Sequence, residues 1–338
     1  MTDRMTQQEF ADRIGISDRT VSRVFNDHPH VSAQARETVL REAERLGFRH
    51  HPGARGLRMK KTFTVGMILQ NEPLSFWSRI LAHLERDLRA RQHYLMVCHR
   101  RDEALGSDDE LACLRDRDVD AVILVPSPAE KRGALRAFLR GGKPLLLLDQ
   151  RVRGVACHYL GTDSYAGSRA LCRHLLELGH RRIAFVSGPR TQYTSRRREE
   201  GYRAALTGGG VSVRERYLYE GATWDRAEGE RAADHFLGLK ERPTAIMAAN
   251  DVIAMGAHLG LRRRGRSLPR DMSLAGYAGE LDGELVSPSL TTVIQPAEAL
   301  GARAAERILD LIRHPARRPT REDMKDPGVL RESVSPPG

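Results

Sequence analysis

Residues 14 to 26 read I-G-I-S-D-R-T-V-S-R-V-F-N, and this stretch decides how the N-terminal part of the chain folds. Ser17 predicts a helix start, because its hydroxyl can accept a hydrogen bond from a backbone amide of the first turn. Val21 and Val24 follow at helical spacing and give the helix one apolar side. Charged and hydroxyl side chains occupy the opposite side. Such a polar face can either contact DNA or simply face water.

A second short helix is predicted just before this one. Thr6 and Glu9 have the spacing of a capping box, and Gly15 supplies a tight turn between the two helices. Two short helices joined through a glycine turn, the second with a polar face, are typical of a helix-turn-helix. The other interpretation is an ordinary helical hairpin with a solvated outer face. A third helix is predicted from about residue 33 to residue 46.

The bulk composition limits the class of protein. A chain of 338 residues predicts two or three folding units, at roughly 100–200 residues per domain. The net charge of +11 favours an anionic partner, nucleic acid being the commonest, although an arginine-rich proteome would also explain it. No apolar run approaches the roughly 20 residues of a membrane helix. We therefore expect a cytoplasmic protein without membrane contact. Its four cysteines form no C-x-x-C pair, which fits a reducing compartment.

From Thr64 onward, apolar runs alternate with amphipathic stretches. Examples of the runs are V-G-M-I-L at 65–69, A-V-I-L at 121–124 and L-L-L-L at 145–148. Nearly all-apolar strands between helices are typical of buried parallel sheets. The alternation restarts after about residue 160, which predicts two doubly wound domains with a cleft between them. Ligands are expected just after the strands, at residues 70–77, Pro126, Asp149, the stretch after Gly188, residues 221–224, Asn250 and Tyr277.

No catalytic signature is present in the sequence. It contains no nucleophile elbow, zinc-protease helix, phosphate-binding loop or dinucleotide fingerprint. Asp149 and Asp163 could form a carboxylate pair, although aspartates at strand ends more often cap helices. The thirteen histidines are scattered, without a metal-spaced group. We therefore expect neither an enzyme nor a bound cofactor or metal.

Several separate motifs resemble the LacI/GalR (lactose/galactose repressor) family. They span nearly the whole chain and read T-V-S-R-V-F-N at 20–26, A-R-G-L-R at 54–58, H-L-L-E-L-G-H-R-R-I-A-F-V-S-G-P at 174–189, A-A-N-D-V-I-A-M-G-A at 248–257 and S-P-S-L-T-T-V-I-Q-P at 287–296. The resemblance implies an N-terminal all-α helix-turn-helix domain plus an α/β periplasmic-binding-protein-like core of two doubly wound parallel-sheet subdomains. It also implies a transcriptional regulator, expected to be a repressor. The alternative is a non-regulatory cytosolic sugar-binding protein.

The resemblance also implies a domain layout and partners. The helix-turn-helix domain is expected at 1–48, the basic segment 49–61 as a hinge, and the core at 62–338. Within the core, the N-subdomain is expected at about 62–160 and 291–320, and the C-subdomain at about 161–290 and 321–338. The expected partners are a near-palindromic double-stranded DNA operator, a second copy of the chain in a homodimer, and a small-molecule effector, a sugar or sugar derivative. The C-terminal tail lacks a leucine heptad, so a tail-built tetramer is not expected.

Positions that match the family's DNA contacts are Thr6, Asp18, Arg19, Thr20, Ser22, Arg23, Asn26, His30, Arg55 and Leu57. Arg19 and Arg23 are the expected specificity residues, because arginine can bond guanine with two hydrogen bonds. Asp18 departs from the family pattern and has two interpretations. It could accept from cytosine, or it could favour the helix N-terminus. Leu57 matches the hinge leucine that wedges into the minor groove.

Positions that match the family's effector contacts are Phe76, Trp77, Arg198, Trp224, Asn250 and Gln295. Aromatic faces and the polar ends of arginine and amide side chains suit a polyhydroxyl ligand. Three structural alternatives are open. Asn250 could cap a helix, Arg198 could pair with Glu199 or Glu200, and Trp77 could be a core residue.

One position breaks the effector pattern. The family commonly has G-[FY]-D-D after the last strand of this subdomain, whereas this chain has Gly-Tyr-Ala-Gly at 276–279. Ala278 cannot accept a hydrogen bond from a sugar hydroxyl. Either the ligand differs, or Glu280 or Asp282 supplies the carboxylate, or effector binding is lost. We predict an effector other than a common free hexose.

Overall fold

Helices build the N-terminal unit, residues 1–62. The computed structural model describes residues 5–25, 30–48, 61–69, 74–100, 105–280 and 282–338. In this unit those residues form α1 (Gln7–Ile14), α2 (Asp18–Phe25) and α3 (Ala33–Arg45). Phe10 and Phe48 stack in its core with ring centroids 4.1 Å apart. Gly15 ends α1 at φ 68°, a left-handed conformation that glycine adopts without strain.

The second unit, residues 63–338, contains two sheets. The first sheet has the order β11-β5-β4-β3-β1-β2 and its strands are parallel. Its strands are β1 (Thr64–Leu69), β2 (Tyr94–His99), β3 (Ala121–Leu124), β4 (Leu145–Leu148), β5 (His158–Thr162) and β11 (Arg321–Met324). Its helices are α4 (Leu74–Arg89), α5 (Asp108–Asp116), α6 (Arg132–Arg140) and α12 (Ala297–Arg313). Met67 and Ile68 enter different apolar clusters, so helices cover both faces of the sheet.

The second sheet has the order β12-β10-β9-β8-β6-β7. Its strands are β6 (Ile183–Ser187), β7 (Leu218–Glu220), β8 (Ala245–Ala248), β9 (Ser273–Ala278), β10 (Thr291–Ile294) and β12 (Gly328–Val329). All pairs are parallel except β12 with β10. Its helices are α7 (Ser164–Glu177), α8 (Tyr193–Gly208), α9 (Arg226–Gly238) and α10 (Asp251–Arg263), with the short α11 (Asp282–Leu285) after β9. The predicted pair of doubly wound subdomains is therefore present.

The chain crosses between the subdomains at different points from those predicted. The predicted boundary near residue 291 is wrong, because β10 pairs with β9 of the second sheet and the crossing follows at Gln295. The predicted return at residue 321 is also wrong, because β11 pairs with β5 of the first sheet. The return therefore follows Met324. Short strands need a sheet neighbour to satisfy their backbone groups, and that neighbour decides which subdomain they join. Among the described residues, no helix is both long and apolar enough to span a membrane.

Candidate functional site

The α2 helix presents a polar face away from the core of the N-terminal unit. Val21 and Val24 are buried in that core, whereas Arg19 is exposed and Arg23 is half-buried. Ser17 accepts a hydrogen bond from the backbone of Thr20 at 3.2 Å, as predicted for a helix start. Thr20 and Ser22, which are also predicted DNA contacts, lie in the same helix and are half-buried.

Asp18 has a partner inside the N-terminal unit. Gln7 of α1 donates from Nε2 to the Asp18 carboxylate at 2.5 Å and to its backbone carbonyl at 3.3 Å. The bond joins the two helices, so it favours a structural role of Asp18 over a contact with cytosine.

The remaining predicted DNA contacts differ in how the structure places them. Thr6 closes the predicted capping box, accepting from the Glu9 backbone at 3.2 Å and donating its own backbone N–H to the Glu9 carboxylate at 2.7 Å. His30 is exposed in the turn before α3. Asn26, Arg55 and Leu57 lie outside the described residues, as does nearly all of the predicted hinge.

All six predicted effector residues line one cavity between the two subdomains, which we call the central cleft. It has about 500 Å³ of unfilled space. It lies beyond the carboxyl ends of strands from both sheets, where ligands of doubly wound domains bind. The central cleft is also lined by Asp149, Gln150, Gln192, Thr194, Val252, Ala278 and Glu280.

Arg198 of α8 is buried in the wall of the central cleft. Its Nη1 donates to the Ala249 carbonyl at 2.6 Å and its Nη2 to Gln295 Oε1 at 3.0 Å. Its guanidinium lies 4.0 Å from the centre of the Tyr277 ring. Gln295 in turn donates to Thr162 Oγ1 at 3.2 Å, so this network joins two of the crossing segments.

The alternative that Arg198 pairs with an adjacent glutamate is wrong. Glu199 pairs with Arg190 and Arg203, and Glu200 pairs with Arg197. The Nε of Arg198 is buried and has no hydrogen-bond partner among the described residues. Arg198 therefore lines the central cleft with one of its donor groups unused among the described residues.

Asp149 is a cleft residue that the predicted effector set does not include. It is buried directly after β4, with φ at 63°, and burial raises its pKa. Gln150 donates to its Oδ2 at 3.1 Å, whereas Oδ1 is buried without a partner in the described parts of the chain. Asp149 was predicted as a ligand-site residue because it follows a strand, but it was not among the positions that match the family's effector contacts. Asp163 does not pair with it and instead caps α7, accepting from the Ala166 backbone at 3.1 Å.

Aromatic side chains form apolar walls of the central cleft. Trp224 donates from Nε1 to Gln192 Oε1 at 2.8 Å. Gly188 permits this position, because a Cβ there would lie 2.7 Å from the indole. Trp77 packs in the core of the first subdomain, so the core interpretation is confirmed; it also lines the cleft, and its contact with an effector stays a prediction. Its ring meets that of Phe76 edge-on, with centroids 5.1 Å apart.

Asn250 caps a helix, which is one of the two roles that its position in the sequence allows. Its Oδ1 accepts from the Ile253 backbone at 2.7 Å, at the start of α10, and its Nδ2 donates to the Trp224 carbonyl at 3.3 Å. The side chain lines the cleft while making these bonds. It therefore fixes the position of Trp224 as well as the helix start.

Ala278, the departure from the family pattern, lines the central cleft, and so does Glu280. Ser75 of the first subdomain donates to the Glu280 carboxylate. Arg79 also donates across the cleft, to the Gly279 carbonyl at 3.2 Å. Of the two carboxylates expected to substitute for the family's aspartate, Glu280 is therefore the one that the structure places in the wall of the central cleft, together with Ala278. The side chain of Asp282 lies outside the described residues.

Asp326 makes the stability of the core depend on pH. Burial raises its pKa to about 6, although Tyr277, which donates to it at 2.5 Å, and Arg198 act in the opposite direction. An aspartate in the unfolded chain titrates near pH 4. Between these values the folded protein binds more protons than the unfolded chain, so Asp326 lowers stability as pH rises through this interval.

Asp326→Asn is therefore expected to stabilise the protein by about 2–3 kcal/mol at pH 7.5 and by much less at pH 4.5. Urea unfolding at both pH values measures the difference. Asp109→Asn, at an exposed position of α5, is the matched control and should show no such pH-dependent gain. An equal gain from Asp326→Asn at the two pH values would contradict the prediction.

Comparison with known proteins assigns these features to a family. The sequence profile described as "periplasmic binding protein-like domain" matches residues 172–334. The HTH-type transcriptional repressor PurR of Erwinia tasmaniensis is 30% identical over 310 residues, which cover 91% of this chain and 90% of that protein. A lac repressor dimer bound to operator and the anti-inducer ONPF has a TM-score of 0.85 at 25% identity, with 98% of this chain and 100% of that one covered. The complex of the transcriptional regulator CelR with cellobiose has a TM-score of 0.73 at 28% identity and the same coverage. The chain therefore belongs to the LacI/GalR family of DNA-binding transcriptional regulators and is not an enzyme.

Proposed function

We propose that the chain is a cytoplasmic repressor that binds a near-palindromic operator as a homodimer and responds to a polyhydroxyl effector in the central cleft. Residues 1–48 would read the operator, residues 49–61 would form the hinge, and the rest would hold the effector and the dimer contacts. The lac repressor dimer bound to its operator supports this assignment. A two-fold dimer matches a two-fold operator, because each subunit reads one half-site.

One observation carries the effector proposal. Two residues in the wall of the central cleft each have a buried polar atom without a partner among the described residues, the donor Arg198 Nε and the acceptor Asp149 Oδ1. A hydroxyl group both donates and accepts, so a polyhydroxyl ligand satisfies both atoms. Trp77 and Trp224 supply apolar surface for the C–H faces of a sugar. The CelR–cellobiose complex supports the same ligand class.

The contacts across the cleft suggest how the effector would act. Ser75 bonds Glu280, and Arg79 bonds the Gly279 carbonyl, so the two subdomains are linked at these points. An effector that forms hydrogen bonds with Glu280 or Arg198 would change which of these contacts between the subdomains persist. The resulting shift of the subdomains would alter operator affinity. Coupling of this kind is typically about 1–3 kcal/mol and is reciprocal between the two sites.

Simple free hexoses are expected to be poor effectors, because Ala278 offers no carboxylate and Glu280 is already bonded to Ser75. In a thermal-shift screen, the hexoses glucose, galactose and mannose should raise the melting temperature less than disaccharides or substituted sugars do. Arg198→Met, which removes the central donor, is the control and should abolish any genuine shift. A strong shift with a simple hexose that Arg198→Met removes would overturn the prediction.

Selection of genomic fragments bound by the full-length protein tests the proposed function as a whole. A regulator should enrich fragments that share a near-palindromic site, and the neighbouring genes would indicate the effector. A cytosolic sugar-binding protein without regulation would bind a ligand in the screen and enrich no such site.

A further inference from the structure

A second cavity between the subdomains is lined by arginines, and we call it the arginine cavity. It has about 1300 Å³ of unfilled space and shares no lining residue with the central cleft. The two cavities are adjacent in the chain, because Gln150 lines the central cleft and Arg151 lines the arginine cavity. One wall comes from residues 151–154 and β11 of the first subdomain, and the other comes from α8 of the second. The arginines are Arg151, Arg153, Arg196, Arg197 and Arg321.

The acidic residues of this cavity are already engaged. Asp323 accepts from Arg151 at 2.7 Å, and Glu200 accepts from Arg197 at 2.5 Å. The third acid, Asp163, caps α7. Five arginines against three carboxylates leave the lining of the cavity with an excess of two positive charges.

Part of the cationic surface has no partner. Arg153 and Arg321 are exposed, and within the described residues their side chains make no hydrogen bond or ion pair. The Nε of Arg151 is buried and likewise has no partner there. Arg151 is held in place by the Tyr159 and Tyr193 rings, whose centres lie 4.0 Å and 5.0 Å from its guanidinium. A guanidinium held in this way in a cavity wall loses little freedom when it binds an anion.

We propose that the arginine cavity is a second ligand site, for a small phosphorylated metabolite, and that its ligand adjusts operator affinity by bridging the two subdomains. A phosphate monoester carries a charge of about −1.5 to −2 at pH 7, which matches the excess of two positive charges. Two of its oxygen atoms can accept parallel hydrogen bonds from one arginine guanidinium. An anion that contacts Arg153 or Arg321 on one wall and Arg196 on the other favours the arrangement that brings the walls together. The effect on the operator rests on the proposed function, whereas the binding does not.

Calorimetric titration of the full-length protein with inorganic phosphate and pyrophosphate tests the site. Sodium chloride at matched ionic strength controls for general screening. Saturable binding of pyrophosphate is expected, and Arg153→Ser combined with Arg321→Ser should weaken it at least tenfold. Arg140→Ser combined with Arg266→Ser removes two exposed arginines outside the cavity and should leave the affinity unchanged. Equal loss in the two double variants, or no saturation beyond the chloride control, would overturn the site.

Two further measurements separate the alternatives. Arg198→Met should retain pyrophosphate binding, because Arg198 lines only the central cleft. If Arg198→Met abolishes binding and the cavity double variant does not, the anion binds in the central cleft and the proposal fails. Operator affinity should change with pyrophosphate in the unsubstituted protein and not in the cavity double variant. Binding without any such change would overturn the regulatory part. Absence of operator binding altogether would overturn the proposed function and leave the titration result standing.

Discussion

Replacing Arg198 with methionine is expected to abolish the effector response and to destabilise the core by about 3 kcal/mol, the order found when a buried charge loses its partner. The guanidinium bonds the Ala249 carbonyl and Gln295, and its charge acts on the buried Asp149 and Asp326. Methionine fills much of the space and supplies no donor. The Ala249 carbonyl and Gln295 Oε1 then lose the hydrogen bonds from Arg198, and the two carboxyls lose its nearby positive charge.

Two readouts make this prediction independent of the effector's identity. Urea unfolding measures the decrease in stability without any ligand. The sugar that gives the largest thermal shift then measures binding, which should weaken by at least about tenfold, because the ligand loses one charge-assisted hydrogen bond, worth about 1.5–3 kcal/mol. Arg203→Met lies on the same helix and removes ion pairs with Glu199 and Glu215 outside the central cleft, so it is the matched control. An effector affinity that Arg198→Met leaves unchanged would contradict the assignment of Arg198 to the ligand.

The local pattern of the chain was enough to predict the two α/β subdomains, and physical reasons explain why. Runs such as Ala121–Leu124 and Leu145–Leu148 are completely buried, and only a sheet covered by helices on both faces buries every residue of a strand. The helix-turn-helix signals were equally local, since Thr6, Gly15 and Ser17 act on backbone groups within a few residues of themselves.

The crossing points could not be predicted, because they depend on pairing between distant strands. Arg321–Met324 has no apolar run, and it joins the first sheet at an edge, where Asp323 bonds Arg151 and Glu322 bonds Arg303. Such an edge strand is stabilised by side chains far away in the sequence. Nothing within the four residues indicates which sheet accepts them.

The residues of the central cleft could be predicted only in part, because some of them also depend on contacts between distant segments of the chain. Motif resemblance named the six residues that the structure brings together around one cavity. It did not name Asp149, whose unpartnered oxygen depends on a positive φ and on burial of the carboxyl group between the subdomains. Resemblance also could not decide the role of Asn250, because only the bond to Ile253 shows that the side chain caps a helix.

Removing the side chain of Arg23 or Arg19 is expected to produce the largest decrease in operator binding. A bidentate arginine–guanine contact contributes about 1–3 kcal/mol of discrimination. A symmetric dimer makes each contact twice, so an alanine substitution in both subunits should cost about 2–6 kcal/mol, or at least about 30-fold in affinity. Within the described residues neither arginine side chain makes a hydrogen bond or ion pair, so its removal should leave the stability of the N-terminal unit unchanged.

The control and the salt dependence decide whether these arginines read bases or only neutralise phosphates. Arg41→Ala removes an exposed arginine from α3 of the same unit and should leave the ratio of operator to non-specific affinity unchanged. If Arg23 reads a base, Arg23→Ala lowers that ratio and hardly alters the salt slope. If it bonds only phosphate, binding to all sequences weakens alike and the slope falls by about one unit for each phosphate that is no longer neutralised. Because Gln7 already bonds the Asp18 carboxylate, the specificity of α2 would then rest on its two arginines, and an intact ratio in both alanine variants would refute that assignment.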